Sequence, residues 1–280
     1  MKCQWQAYLN LLPIWMRQPV DNLGRDSLEE LRLRLHAPPE LKTGFGSQWL
    51  KREVTRDDLL FIINTASKYS PWAAGTTAQG YISAAGGHRI GLCGDAVITG
   101  GEMTGIRTVT SLCLRVARDF PGIAKDAAAI AGSILILGKP GSGKTTFLRD
   151  LIRFRAESQS VAVVDEKGEL FPLFQNQHCF SGGKRADVLT GCGKGQGIDA
   201  VLRNMGPEVI AVDEITAEAD CKALTHALWC GVDLLATVHA GSRQDLLSRP
   251  VYKPLVQSGL FQTLILIQPD KSWRAERMNI

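Results

Sequence analysis

Eight consecutive residues, Gly138-Lys-Pro-Gly-Ser-Gly-Lys144-Thr145, meet every required position of the Walker A pattern G-x-x-x-x-G-K-[ST]. Glycines there let successive backbone amides converge on a phosphate, and a helix starting on the loop adds the positive end of its dipole. The residues expected to hold ATP are Gly138, Lys139, Pro140, Gly141, Ser142, Gly143, Lys144, Thr145 and Thr146. Lys144 would reach the β- and γ-phosphate oxygens, and the Thr145 hydroxyl would ligate Mg2+. Such a loop also suits a kinase, so the reaction is decided downstream. In Val209-Ile-Ala-Val-Asp213-Glu214 four apolar residues lead into two acids. Asp213 is expected to complete the Mg2+ shell, and Glu214 to polarise an attacking water as general base. Val163-Val-Asp165-Glu166 delivers a second acidic pair, followed by Glu169, and Leu235-Ala-Thr237-Val-His239 brings a polar pair to a further strand end. His239 is weighed between sensing a γ-phosphate and a structural hydrogen bond.

These groups can meet only if a sheet gathers them. Ser133–Leu137, Val161–Val164, Val209–Val212, Leu234–Val238 and Leu264–Ile267 are short runs apolar on both faces, as in a parallel sheet covered by helices. Thr145–Arg155 and Glu218–Cys230 read as helices between them. The pattern is an α/β nucleotide-binding layout. A change of texture at Pro121-Gly122 divides a small N-terminal α+β domain, residues 1–121, from an ATPase domain, residues 122–280, which opens on an Ala-rich helix predicted over Ile123–Ala131. Upstream, Leu28–Leu35 is ambiguous between helix and strand. Thr55-Arg-Asp-Asp58 starts a helix, and residues 80–116 read as short β pieces punctuated by glycine.

Composition narrows the classes. With 280 residues, 45% hydrophobic and 21% charged, the chain can bury a real core, which excludes a disordered scaffold, a collagen-like rod or a disulfide-stapled module. The apolar stretch Ala127–Leu137 is too short to cross a bilayer, and no continuous apolar signal region follows Met1. A cytoplasmic location is the expectation. The 7 cysteines form no Cys-x-x-Cys pair and are expected to be reduced, with no zinc at Cys221, His226 and Cys230. No interleaved Arg/aromatic surface is visible, so no nucleic-acid partner is expected. The net charge of +4 is that of an ordinary soluble chain.

Taken together, the Walker A loop, the acidic box Val164-Asp-Glu166 with Glu169-Leu170, Leu202-Arg203 leading into Pro207–Ile215, and Thr237-Val-His239-Ala240 resemble, in this order, the traffic ATPases of type II and type IV secretion systems. Gly86-Gly-His-Arg-Ile-Gly-Leu92, Leu112–Arg118, Asp187–Lys194 and Glu29–Arg34 narrow the resemblance to the stage III sporulation protein AA family. Departures are Cys113 where the family pattern has Asn and Thr216 where it has Gly. The resemblance covers roughly residues 28 to 267. It implies a RecA-like P-loop core with a smaller N-terminal domain, Mg2+-dependent ATP hydrolysis and a homohexameric ring. It also implies peripheral docking, on the mother-cell side of a membrane, to a membrane-embedded sporulation secretion or channel complex. Asp165 or Glu166 would be the inward acid of the first box. Arg89 and Arg115, ahead of Arg107, Arg118 and the weaker candidate Arg203, would supply a cation to the γ-phosphate. Two other readings stay open: a P-loop kinase and a nucleic-acid-linked RecA-like ATPase.

Overall fold

The computed structural model describes residues 1–67 and 80–278. The chain divides into two units, the first comprising Met1–Asp119 and Pro172–Cys179, the second Phe120–Phe171 and Phe180–Ile280.

In the first unit, helices Trp5–Leu11, Ile14–Leu23 and Arg56–Ser67 accompany a six-stranded antiparallel sheet. Its strands are β1 (Leu28–Arg34), β2 (Glu40–Thr43), β3 (Gly46–Trp49), β4 (Tyr81–Ser83), β5 (Arg89–Thr99) and β6 (Glu102–Arg115), in the order β3-β2-β1-β6-β5-β4. The ambiguous run Leu28–Leu35 is therefore a strand for most of its length. Leu28, Leu31 and Leu33 are buried in one core with Tyr8 and Met16 of the first two helices. Thr55 and Asp58 cap the third helix reciprocally: the Thr55 amide donates to the Asp58 carboxylate, and the Asp58 amide to the Thr55 hydroxyl.

His88 of the Gly-Gly-His-Arg stretch is fully buried. Its Nδ1 accepts from the Ala117 amide at 3.0 Å, which leaves Nε2–H to donate to the Gln4 carbonyl at 3.1 Å. Burial lowers its pKa from 6.5 to about 4, against the raising effect of the Gln4 carbonyl. A folded pKa below the unfolded one stabilises the fold above pH 6.5, and this contribution is lost as the pH falls through 6.5 toward 4. Urea unfolding of the wild type should therefore lose about 3 kcal/mol more across that window than unfolding of His88→Gln. Equal pH slopes in the two proteins would refute the assignment. Gly87, at φ +79°, has Pro172 and Cys179 3.2 Å from the place a Cβ would occupy, so the hairpin of β9 (Leu173–Phe174) and β10 (Gln177–His178) seats against a residue that must be glycine.

The second unit is built on a seven-stranded sheet of β7 (Ile134–Gly138), β8 (Val161–Asp165), β11 (Ala186–Thr190), β12 (Val209–Val212), β13 (Asp233–His239), β14 (Thr263–Ile267) and β15 (Trp273–Arg277). The order is β11-β8-β12-β13-β7-β14-β15, parallel throughout except for the antiparallel edge strand β15. Helices Lys144–Arg155, Lys194–Met205 and Glu218–Trp229, with the shorter Arg243–Ser248 and Lys253–Gln257, complete it. Every residue of β7, β8, β12 and β14 is buried, as expected of strands covered on both faces. The fold is mixed α/β with a mostly parallel RecA-like sheet and an N-terminal antiparallel-sheet domain.

One predicted element is corrected. Ile123–Ala131 is not a helix but a run of turns with a 3-10 segment at Lys125–Ala127. Side chains of helix Lys144–Arg155 instead bind backbone groups at the two ends of this segment. The Asp150 carboxylate accepts from the Gly122 and Ala124 amides, and Arg155 donates to the Ile130 and Gly132 carbonyls.

Candidate active site

Register explains why distant residues meet. His239 pairs with Gly138 across β13 and β7, Thr237 with Ile136, and Val212 with both Ala236 and Val164. The segments after β7, β12 and β8, and the last residues of β13, therefore emerge side by side at the carboxyl edge of the sheet.

The Gly138–Thr145 loop runs from β7 into helix Lys144–Arg155. Gly141 and Gly143 lie at φ +74° and +101°, which aims successive amides inward. Ser142 Oγ is buried with no hydrogen-bond partner among the described residues, and a Cβ on Gly138 would lie 2.4 Å from it. A buried hydroxyl left unpaired inside a cradle of amides fits an anion that is to be held there. Lys144 is 5% exposed and donates to the Lys139 carbonyl at 3.0 Å and to His239 Nδ1 at 2.8 Å. Burial lowers its pKa, with Asp213 and Glu214 opposing. Lys271, on the turn between β14 and β15, donates to the Gly141 carbonyl at 2.6 Å. Of the remaining loop residues, Lys139 and Pro140 are exposed, and Thr146 lies in the first turn of the helix.

Thr145 Oγ1 donates to Asp213 Oδ2 at 2.8 Å, and Thr237 Oγ1 to Asp213 Oδ1 at 2.6 Å. Thr145 and Asp213 thus form a hard-oxygen pair of the kind Mg2+ takes, and the donor set fits that ion. Thr237 also accepts from the Glu214 amide at 2.8 Å, while its carbonyl accepts from Ile215. These bonds hold Glu214 at φ +45°, a conformation that costs a non-glycine residue about 1–3 kcal/mol. Its side chain is directed at His239, with Oε1 3.1 Å from Nε2, and at Lys167, with Oε2 3.3 Å from Nζ. An ammonium can only donate, so His239 Nδ1 accepts from Lys144 and Nε2–H donates to Glu214. Burial alone would raise the Glu214 pKa, but Lys167, His239 and Lys144 outweigh it and hold the carboxyl below its ordinary range.

The first acidic pair is engaged otherwise. Asp165 is buried and accepts from the Glu169 amide at 2.9 Å and the Phe171 amide at 2.8 Å. Burial raises its pKa despite those amides. Glu166 Oε2 lies 2.5 Å from Nζ of Lys194, a buried lysine 3.9 Å from Asp220. The structure therefore links Lys144, Thr145, Asp213, Glu214 and His239 by hydrogen bonds, while Asp165 and Glu166, each in bonds of its own, line one small cavity with Asp213 and Glu214.

The candidate arginines have partners of their own. Arg115 is 3.4 Å from Glu30, Arg107 3.8 Å from Asp95, and the Arg89 guanidinium 3.8 Å from the centre of the Tyr81 ring, while Arg118 donates to the Arg25 and Leu28 carbonyls. All belong to the first unit. Arg203 is in the last turn of its helix, just before β12, and so at the amino edge of the sheet, away from the loop. Sequence reasoning missed Lys167, Lys194 and Lys271. Lys194 closes one of the stretches quoted for the resemblance, and Lys167 directly follows the acidic pair, but only the fold shows that each holds a carboxylate.

The family model described as sporulation stage III, protein AA matches residues 4–275. The chain is 35% identical over 258 residues to the stage III sporulation protein AA of Bacillus subtilis, covering 87% of this chain and 83% of that protein. Among solved structures, the ATPase DotB of Legionella pneumophila superposes with a TM-score of 0.60 at 16% identity, covering 95% of this chain and 80% of that one. The pilus retraction motor PilT with bound ADP gives 0.60 at 17% identity, with coverage of 90% and 76%. At such identity the structural likenesses speak for the fold, whereas the family model and the Bacillus relative reach almost end to end: this chain belongs to the sporulation stage III, protein AA family.

Proposed function

We propose that this protein binds Mg-ATP on the Gly138–Thr146 loop and hydrolyses it. One observation carries the reading: His239 links the loop lysine to Glu214, next to the Thr145–Asp213 pair, at one edge of one sheet. Mg2+ held by Thr145 and Asp213 would offset phosphate charge. Lys144 exchanges its contacts with Lys139 and His239 for phosphate oxygens. Glu214 takes a proton from the water that attacks the γ-phosphorus, as the bond from that phosphorus to the bridging oxygen breaks and ADP leaves. Asp165, its oxygens taken by backbone amides, shapes the loop after β8 and leaves the general-base role to Glu214. DotB is described as an ATPase and PilT as a motor with bound ADP, which agrees with this reading.

Hydrolysis in 18O-labelled water is the test. The label should appear in released phosphate. Transfer of the γ-phosphoryl group to another acceptor, with no label in phosphate, would instead make the protein a kinase.

By family, we further propose a hexameric ring docked peripherally on the mother-cell side of a membrane, driving a membrane-embedded sporulation secretion or channel complex. No helix among the described residues is long and apolar enough to cross a membrane. In such a ring Arg115 or Arg89 of a neighbouring copy would complete the site, with Arg115 exchanging Glu30 for the γ-phosphate. Mixing Arg115→Ala subunits with Glu214→Gln subunits should restore part of the hydrolysis that each lacks alone. Normal hydrolysis by Arg115→Ala alone would exclude Arg115.

A further inference from the structure

Lys271 stands on a turn that is tightly bonded within itself. In Gln268-Pro-Asp-Lys-Ser272, between β14 and β15, the Lys271 amide donates to the Gln268 carbonyl at 3.0 Å and the Gln268 amide to the Ser272 carbonyl at 2.8 Å, while the Ser272 amide and hydroxyl both donate to Asp270 Oδ1. Lys271 fills the left-handed position of this three-residue loop, at φ +70°, where glycine is the easy choice and lysine a strained one. Both sides of the turn are anchored beside the Walker loop. Leu266 of β14 pairs with Leu137, the residue before Gly138, and a Cβ on Gly138 would lie 3.2 Å from the Ile267 carbonyl oxygen. On the other side, Trp273 meets Phe147 of helix Lys144–Arg155 edge to face, with ring centres 5.5 Å apart. From this mount the Lys271 side chain lies along the loop: its Cδ is 3.9 Å from the place of a Cβ on Gly143, and its ammonium donates to the Gly141 carbonyl at 2.6 Å. Among the described residues, no other donor reaches that carbonyl and no carboxylate pairs with Lys271.

We propose that Lys271 is a positioning residue of the nucleotide site: it clasps the Walker loop by the Gly141 carbonyl and so fixes the loop's amides in place before phosphate arrives. The inference rests on the nucleotide-binding reading above. Gly141 and Gly143, at φ +74° and +101°, give the loop the freedom that a phosphate cradle needs, and freedom left unchecked must be lost on binding at a cost in affinity. Within the loop, the Lys139 carbonyl accepts from the Ser142 amide at 3.1 Å and from the Lys144 ammonium at 3.0 Å. Lys144 leaves that carbonyl when it turns to phosphate oxygens. The Lys271 bond uses no group that the nucleotide needs, and so it persists. Because the clasp acts on the loop alone, ADP and ATP gain from it equally and the chemical step does not.

Three variants of the full-length protein test it, with Mg-ADP and Mg-ATP affinities read by calorimetry and kcat read at saturating ATP. Lys271→Met keeps the stem but loses the ammonium. It should weaken both nucleotides about 10-fold and leave kcat unchanged, as for the loss of one hydrogen bond from a charged donor that serves binding only. Lys271→Gly should do the same with the thermal midpoint held, because glycine suits φ +70°; a lysine kept for the turn alone would make that variant harmless to binding. Lys271→Arg should restore most of the affinity. Unchanged affinity for both nucleotides in Lys271→Met and Lys271→Gly overturns the proposal. A loss confined to ATP, or a lower kcat, would make Lys271 a contact of the γ-phosphate and overturn the positioning role. Wild-type protein that binds both nucleotides but releases no phosphate would instead defeat the hydrolase reading, and the two affinities would still decide the role of Lys271.

Discussion

Glu214→Gln should bind Mg-ATP as the wild type does and hydrolyse it about 10²–10⁴-fold more slowly in a single turnover, the usual worth of a general base. Binding survives because Lys144, Thr145 and Asp213 make no use of the Glu214 carboxylate to hold their places. The amide oxygen can still accept from His239 Nε2–H, so the local geometry persists. What the amide lacks is a basic oxygen, and its NH2 would face the Lys167 ammonium donor to donor. Rapid-quench measurement with excess enzyme isolates the chemical step. If Glu214→Gln turns over normally while Glu166→Gln does not, the base lies in the first acidic box, and the Glu166–Lys194 pair must open to expose it.

Lys144→Ala is expected to lower nucleotide affinity by at least about 10²-fold, since hydrogen bonds from a charged donor contribute about 1.5–3 kcal/mol each and more than one phosphate oxygen is served. The folded protein tolerates the change. Lys144 holds only the Lys139 carbonyl and His239 Nδ1, and the cradle itself is made by backbone. Calorimetric titration with ATP and Mg2+ measures the loss. Thermal unfolding gives an independent reading: nucleotide at 100 times the wild-type Kd should stabilise the wild type by about 2.7 kcal/mol and leave the variant almost unchanged. Full affinity in the folded variant would remove Lys144, and with it the loop, from the nucleotide site.

The central sheet was legible because its strands are short, apolar on both faces and followed by chemistry-bearing residues. β7, β8, β12, β13 and β14 all lie where runs of Val, Ile, Leu and Ala predict them. What escaped was hidden by residues chosen for packing. Helix Lys194–Met205 opens with Gly195 and Gly197, a residue type that disfavours helix. Yet a Cβ on Gly197 would come 2.4 Å from Val164 Cγ1, so glycine is what lets the helix lie against β8. Edge strands β11 and β15 are only partly buried and carry no clear alternation, and Pro13 and Pro19 mask the second N-terminal helix. In the site, Lys144, Thr145, Asp213, Glu214 and His239 could be singled out from spacing and strand ends. The ion pairs of Glu166 and Glu214 could not, because Lys194 and Lys167 reach them across gaps in sequence of 28 and 47 residues.

The assignment of Pro172–Cys179 to the first unit bears on how the protein is made. A ribosome that has released Asp119 has not yet delivered all of that unit. Its last piece follows about 60 residues later, after β7, the Walker loop and β8. At about 5–20 residues per second this is an interval of roughly 3–12 s, during which the seat beside Gly87 waits without Pro172 and Cys179. The first unit therefore cannot be complete until the chain has been made as far as Cys179. The amino-terminal unit is completed only with a segment that lies within the sequence of the other unit.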